Sequence, residues 1–544
     1  MQISEQNRLY PEKGPGRISD SLLSLILALC GTLFVQNQEL FQSDVLYIPA
    51  FIEDLFRGIS PGGWSFSPAP YVFPDMLAYF LFFAVSGLHQ IALRIYGIVQ
   101  AGLILFLLLR LFSPPGKRQG WFRLFFSAQF VSLMAFQDFY AFLFLPGMHC
   151  SAFLMTLALF HRIRKETLLP WRGIYIVLLS LSLLADPILL VYAHLPILLS
   201  LLFARKLRKR NPDYGKRVPS ERIKYWLKVI IPSSLIGLVL YGLFRAFFRI
   251  GRPGRISPLD SVERLAADFG DGFGIPWLFY AQCVGILIFS LFLLQRVLLA
   301  TEKEIRKQDE PSLVFYGRIS SSNLLGFIWI PPLFAVLFGN YVDPYSIRYF
   351  AGSFIVSNAG LLSILCNVAH RPTARVSRFT GPLPVLLRKW GALAAASVLL
   401  PILIWEHRQT AGPESPVVWK TYYPNYVQCL DSLDVDLVMA DYWHAKSIYL
   451  FSHRPIVAYH ADYATGKPSR TIANENWWKA TRKGSSDDEP RVSDSREWNG
   501  RPDAVYMQSL SPDVIRTALG APDTIKECPG ADLAPVWIYK EPSP

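Results

Sequence analysis

The sequence predicts a mostly α-helical, polytopic membrane protein, with about eleven transmembrane helices and a C-terminal extracytoplasmic α/β domain. Three observations predict it. The 544 residues are 52% hydrophobic and only 17% charged, where soluble domains carry roughly a quarter charged residues. The apolar residues gather in long runs separated by short basic loops. After residue 405 the chain turns polar and stays so. A mean hydropathy of +0.28 excludes a disordered chain, a coiled coil and a small disulfide scaffold, and argues against a soluble enzyme.

In chain order, residues 1–17 form a polar, cytoplasmic N-terminus with Arg8, Lys13 and Arg17. The first apolar run, 18–35, lacks a small-x-small cleavage pattern and reads as a retained helix. Further spans are expected at 89–112, 120–136, 148–163, 172–186, 188–204, 226–248, 275–298, 323–340, 349–367 and 389–405, so 18–405 is one multi-span domain with a long first outer loop, 37–88. Several of these runs are shorter than the ~20 residues a spanning helix prefers. Met76–Val85 follows Pro74-Asp75, is too short to span, and reads as an interfacial or re-entrant helix. With it excluded and the N-terminus inside, inner segments hold 29 Lys and Arg and outer loops hold 6, as the positive-inside rule requires.

The odd span count puts 406–544 outside an inner (plasma) membrane. There, Asp436–Ala440, Pro455–Tyr459 and Val536–Tyr539 read as strands, Ser511–Leu519 as a capped helix ended by Gly520, and 484–500 as a mobile loop. Of six cysteines, Cys429 and Cys528 alone lie in this polar region, and an oxidising compartment would let them bridge. The net charge of +13 sits in short inner loops, which points to membrane topology and not to nucleic acid.

Candidate chemistry gathers on the outer side. The first loop carries Asp44, then Glu53-Asp54, then an aromatic, Pro-rich stretch ending at Asp75. A carboxylate such as Asp44 can take a proton from an acceptor hydroxyl, hold a divalent cation (Mg or Mn), or cap a helix. Asp186, before Pro187, is a site residue or a turn residue. His149, after Pro146-Gly-Met, can meet phosphate or metal, or be solvated; Asp138 in the same loop is weaker. Arg348, followed by Tyr349, is a phosphate fork or an interfacial anchor paired with Asp343.

No Walker A sequence, dinucleotide fingerprint, H-E-x-x-H or nucleophile elbow occurs; Gly466-Lys467 has Ala461 where a P-loop needs its first glycine. Two non-enzymatic classes stay open. A secondary transporter or lipid flippase would need intramembrane charges, and Arg94, Arg110, Arg245 and Arg296 mostly lie near span ends. A non-catalytic membrane scaffold would use only its outer domain.

The order of these features resembles the GT-C superfamily of integral membrane glycosyltransferases. It rests on the retained first helix, the outer first loop with Asp44, the Ser67-Pro-Ala-Pro-Tyr-Val-Phe-Pro-Asp75 stretch before an interfacial helix, Arg348-Tyr349 at the mouth of a late span, and a C-terminal outer domain. As local sequence it covers the first 100 or so residues and the Arg-Tyr region. One departure is that Asp44 is followed by Val45, the adjacent acidic pair coming only at Glu53-Asp54. The resemblance implies inverting transfer of a sugar from a polyprenyl-phosphate donor to a glycan, lipid or protein acceptor at the outer membrane surface. Asp44 would be the base, with Arg348, Tyr349, His149, Asp186, Asp75, Glu53 and Asp54 binding substrate, and no nucleic acid or certain cofactor involved.

Overall fold

The computed structural model describes residues 16–35, 40–114, 118–136, 138–164, 172–210, 220–251, 255–271, 276–298, 311–342, 344–369, 423–469, 471–479, 502–528 and 533–539. The expected span at 389–405, the expected loop at 484–500 and Asp343 lie outside these residues, and of Asp138 only the backbone is described.

The chain is mostly helical. Five helical stretches among the described residues are long and apolar enough to cross a membrane: His89–Phe112, Ile223–Phe247, Phe279–Val297, Ile319–Leu337 and Arg348–Cys366. This corrects the expected count of eleven. Cys150–Arg164 has 15 residues and Arg172–Ala185 has 14, so at 1.5 Å per residue each rises only about 21–23 Å against a hydrocarbon core of about 30 Å. These shorter helices pack as supports instead. Arg172–Ala185 lies along Ser220–Phe247, and Gly16–Gly31 lies along His89–Phe112. One end of that second pair is clasped by buried Asp20, which accepts from Arg123 at 2.8 Å and has Arg110 at 3.6 Å.

The first outer loop is not a loop throughout. Ser43–Phe56 is a helix, and Val45, Leu46, Tyr47, Ile48, Pro49, Ala50 and Ile52 are buried in it. Its apolar residues are too numerous for a strip of surface, so it becomes core between the membrane helices and the outer domain. Past the turn Pro61–Gly63, strand β1 (Ser65–Phe66) pairs in parallel with β2 (Arg249–Ile250). Val72–Met76 then leads into the helix Leu77–Ser86, with Leu77, Leu81 and Val85 exposed. The expected short helix at 76–85 is therefore present; Tyr79, Phe82 and Phe83 pack on the protein, and the face with Leu77, Leu81 and Val85 is exposed.

The C-terminal part of the chain, the expected outer domain, is built on a five-stranded sheet in the order β4 (Val457–His460), β3 (Leu437–Ala440), β5 (Ala504–Tyr506), β7 (Val536–Ile538), β6 (Thr524–Lys526). The first three strands are parallel, and β7 and β6 are antiparallel. Helix Tyr442–Phe451 makes the crossover from β3 to β4. It starts sharply because Asp441 caps it, accepting from the Trp443 and His444 backbone N–H groups. Cys429 and Cys528 are bridged, with Cα atoms 5.7 Å apart, inside the range a disulfide allows.

Candidate functional site

The outer domain is seated on the first loop through one buried carboxylate. Asp54 is 0% exposed. It accepts hydrogen bonds from Trp64 Nε1 (2.8 Å), Tyr449 Oη (2.6 Å), Asn474 Nδ2 (2.7 Å) and Trp477 Nε1 (3.0 Å). Burial raises its pKa, and the four donors act against that rise. Two backbone bonds reinforce the seat: Ser65 N–H donates to Ala473 O and Glu475 N–H to Gly63 O, both at 2.9 Å. A Cβ on Gly63 would stand 2.4 Å from Asn474 Oδ1, so only glycine lets the two segments come this close. Asp54, expected to bind substrate, here accepts from four protein donors and ties the two segments together as a structural knot. Glu53 points the other way, to Arg57 (2.7 Å) and His89 (2.9 Å). The His89 hydrogen bond is the main cause that lowers its pKa to about 2.

At the opposite end of the same helix stands Asp44, in the first turn. Nine residues separate it from Glu53, about 13 Å along the axis, so the two acidic positions serve different places. Asp44 Oδ1 accepts from Tyr442 Oη at 2.5 Å. Beside it, Ser43 Oγ donates to the Tyr442 carbonyl and receives Lys446 Nζ at 3.5 Å. Lys446 is 0% exposed and lies 4.3 Å from the Tyr442 ring centroid. Burial pulls its pKa down to about 7, with the Asp44 carboxylate working the other way. His460, at the end of β4, packs edge-on against Tyr442 at 5.1 Å, and neither of its buried ring nitrogens has a hydrogen-bond partner among the described residues. Burial, helped by Lys446, holds it down to about 3.

Arg348 opens the helix Arg348–Ala369, where the positive end of the helix dipole also lies. A small cavity beside it is lined by Arg348, His149, Met148, Cys150 and Tyr192, among others. Asp186, buried, accepts from His149 Nδ1 at 2.8 Å. That contact sets the tautomer and leaves Nε2 for the cavity. Tyr71 Oη stands 3.4 Å from the same Nδ1, and Tyr349 stacks on the His149 ring at 5.3 Å. Tyr71 (φ 53°) and His149 (φ 62°) both hold left-handed backbones without being glycine, a conformation that costs on the order of 1–3 kcal/mol each and tends to occur at functional sites. Gly147, with φ 71°, leaves room for the Tyr71 ring, which a Cβ would approach at 3.3 Å.

The two clusters are neighbours. Burial raises the Tyr442 hydroxyl pKa, Asp44 raises it further, and the Arg348 guanidinium opposes both. The same guanidinium opposes burial and Asp186 at Tyr71. Asp75 stands behind this arrangement: it is buried, accepts from Tyr96 Oη at 2.5 Å, and Tyr96 in turn reaches Gln100 at 2.8 Å. Gln100 donates to the carbonyls of Leu143 and Leu145, so Asp75 braces the segment that carries His149.

Thus the structure brings together Arg348, Tyr349, His149 and Asp186, sets Asp44 beside them through Tyr442, and assigns Asp54 and Asp75 to bracing. Among the described residues no three His, Cys, Asp or Glu side chains gather as a metal site needs. Asp44 is flanked by a phenol and an ammonium, a set that does not fit Mg or Mn. Sequence reasoning missed Tyr71, Tyr442, Lys446 and His460. The one signal for Tyr442 and Lys446 was Asp441 opening a short helix after a strand, which places the next residues at the carboxyl edge of a parallel sheet. No known protein family and no curated protein matches the chain.

Proposed function

We propose that this protein is a membrane glycosyltransferase that moves a sugar from a polyprenyl-phosphate donor to an acceptor hydroxyl at the outer surface, with inversion. The observation that carries the reading is the pairing of an anion-binding set with a carboxylate. Arg348 at a helix N-terminus and an Asp186-oriented His149 share one cavity, and the Arg348 charge acts on Tyr442, whose hydroxyl holds Asp44. The acceptor oxygen attacks the anomeric carbon as the bond from that carbon to the phosphate oxygen breaks. The acceptor proton passes to Asp44, whose Oδ2 has no protein partner among the described residues. The departing polyprenyl phosphate gains charge, which the Arg348 fork stabilises, with His149 in the wall of the same cavity. The cavity is lined by Arg348, Ala351 and Gly352 from the first turns of a helix apolar enough to span, so a lipid tail lying along that helix would bring its phosphate to polar groups. The Cys429–Cys528 bridge supports an oxidising, extracytoplasmic side for the outer domain.

The test is direct. Purified full-length protein in nanodiscs is given a panel of polyprenyl-phosphate sugars with cell-envelope extract as acceptor. Mass spectrometry follows release of polyprenyl phosphate and the gain of one sugar on the acceptor. Release that needs both protein and acceptor is expected, and is lost in Asp44→Asn. Wild-type protein that releases no polyprenyl phosphate from any donor, while envelope glycans are identical in cells with and without it, would refute the reading.

A further inference from the structure

The loop helix cannot complete the surroundings of Asp44; the outer domain does. Strands β3 and β4 end at Ala440 and His460, and the residues just past that edge approach the first turn of Ser43–Phe56. Tyr442 takes Asp44 Oδ1 at 2.5 Å. Lys446, one helical turn later, reaches the residue before Asp44, with Nζ 3.5 Å from Ser43 Oγ and 4.3 Å from the Tyr442 ring centroid.

A purely structural role accounts poorly for Lys446. A fully buried ammonium is costly unless an anion faces it. Its hydrogen-bond and ring contacts are a neutral hydroxyl and a phenol ring, and Asp44 is the carboxylate whose charge it feels. An apolar side chain of the same length would pack there at lower cost. Other charged or titratable groups around this point are His460 and Tyr463, which contact Tyr442 from the outer domain, Arg348 from its helix, and Arg94, which lies 5.9 Å from the Phe41 ring near the start of the loop helix.

The geometry points to Tyr442 and Lys446 as positioning residues for Asp44, supplied by the outer domain. Tyr442 occupies one carboxylate oxygen and so turns the other toward the acceptor. Lys446, held between Ser43 Oγ and the Tyr442 ring, fixes the Tyr442 phenol in that position from the protein side. The inference rests on the base role proposed for Asp44. It adds that the site exists only while the outer domain is seated, and that Asp54 does the seating.

The experiment uses the full chain in detergent micelles and reads two things. Thermal stability is measured from pH 5 to pH 10 for Lys446→Met against its parent, once in the wild-type background and once in Asp44→Asn. If Asp44 and Lys446 interact, removing the carboxylate makes Lys446 lose its proton earlier. The pH at which the advantage of Lys446→Met begins to shrink then falls by about one unit in the Asp44→Asn background. Identical onsets in the two backgrounds would overturn the inference. In the transfer assay, Tyr442→Phe removes one oxygen. It is expected to lower kcat about tenfold, leave the donor KM unchanged and move the pH–rate profile; an unmoved profile with unchanged kcat would equally overturn it. Should Lys446→Met fail to fold, Tyr442→Phe decides alone. Should wild-type protein transfer no sugar, the stability onsets still decide the positioning, and it is the transferase reading that falls.

Discussion

Replacing Asp54 with alanine tests how the outer domain is held. The substitution leaves four donors without their acceptor: Trp64 Nε1, Tyr449 Oη, Asn474 Nδ2 and Trp477 Nε1, the residues that carry them all buried. Each orphaned donor costs about 1–3 kcal/mol. Two effects offset the sum. Burying the carboxylate is itself unfavourable, as its raised pKa shows, and a water can enter the space left behind. The balance is a loss of about 4–6 kcal/mol, a large fraction of the 5–15 kcal/mol that holds a typical domain folded. Asp54→Asn keeps the volume and one acceptor oxygen but turns an N–H₂ group toward four donors, so it should fall between alanine and wild type. The assay is built in. Trp64 and Trp477 meet edge-to-face at 5.3 Å across the seat, and their fluorescence should shift to the red at lower urea in Asp54→Ala. Limited proteolysis should cut on the outer domain at conditions that spare wild type. A variant whose unfolding free energy in urea lies within about 1 kcal/mol of wild type, with unchanged protease resistance, would refute the knot.

Three other outcomes are expected. Asp44→Asn keeps the fold and the melting temperature and loses on the order of 10²-fold or more in transfer, read by polyprenyl-phosphate release. Arg348→Lys keeps abundance and stability but lowers kcat/KM for a lipid-phosphate donor by at least about tenfold, because an ammonium cannot reproduce the paired bonds of the guanidinium; unchanged kinetics would make Arg348 an anchor. Lys446 makes stability depend on pH. Its pKa is about 7 in the folded chain and 10.5 as the ordinary value, so between those values the unfolded chain binds the extra proton. Wild type should therefore gain about 1.4 kcal/mol per pH unit from pH 7 upward relative to Lys446→Met, and nothing from this group below pH 7. Differential scanning fluorimetry of the pair at pH 7, 8.5 and 10 checks it; His460, held down to about 3, changes charge on unfolding only below its ordinary 6.5 and does not confuse that window.

Much of the architecture was legible in the sequence, for physical reasons that also explain the misses. Strands β3, β4 and β7 and the helix Pro512–Leu519 stand where β-branched runs and a Ser/Gly frame put them. The Cys429–Cys528 bridge followed from the isolation of two cysteines in a polar region. Apolar composition shows that a segment avoids water, but it does not show what replaces the water. A run of 15 residues reads the same whether lipid or protein covers it, and Cys150–Arg164 is largely covered by protein. The helix Ser43–Phe56 was hidden by Pro49 in its middle and by the aromatic loop that follows. Its apolar positions at 45, 48 and 52, after Ser43 and Asp44, were the available signal.

The site divides along the same line. Arg348 and His149 could be found locally, since a cation at a span mouth and a histidine after Pro-Gly are unusual where they stand. Tyr442 could not, because its partner Asp44 lies 398 residues earlier. In sequence, Lys446 is an ordinary basic residue on a short helix, and such residues usually face water. It becomes informative only when Ser43–Phe56 closes over it, because burial turns a solvated cation into a charge that needs an anion. The same closure gives Asp44 its neighbours. A carboxylate in a loop has many readings, whereas one held by a phenol, faced by a buried ammonium and set beside an Arg–His anion cavity has far fewer. On the proposed reading the chemistry therefore depends on the docking of two distant segments, and the residues that govern docking, Asp54 foremost, would serve the mechanism by holding that dock.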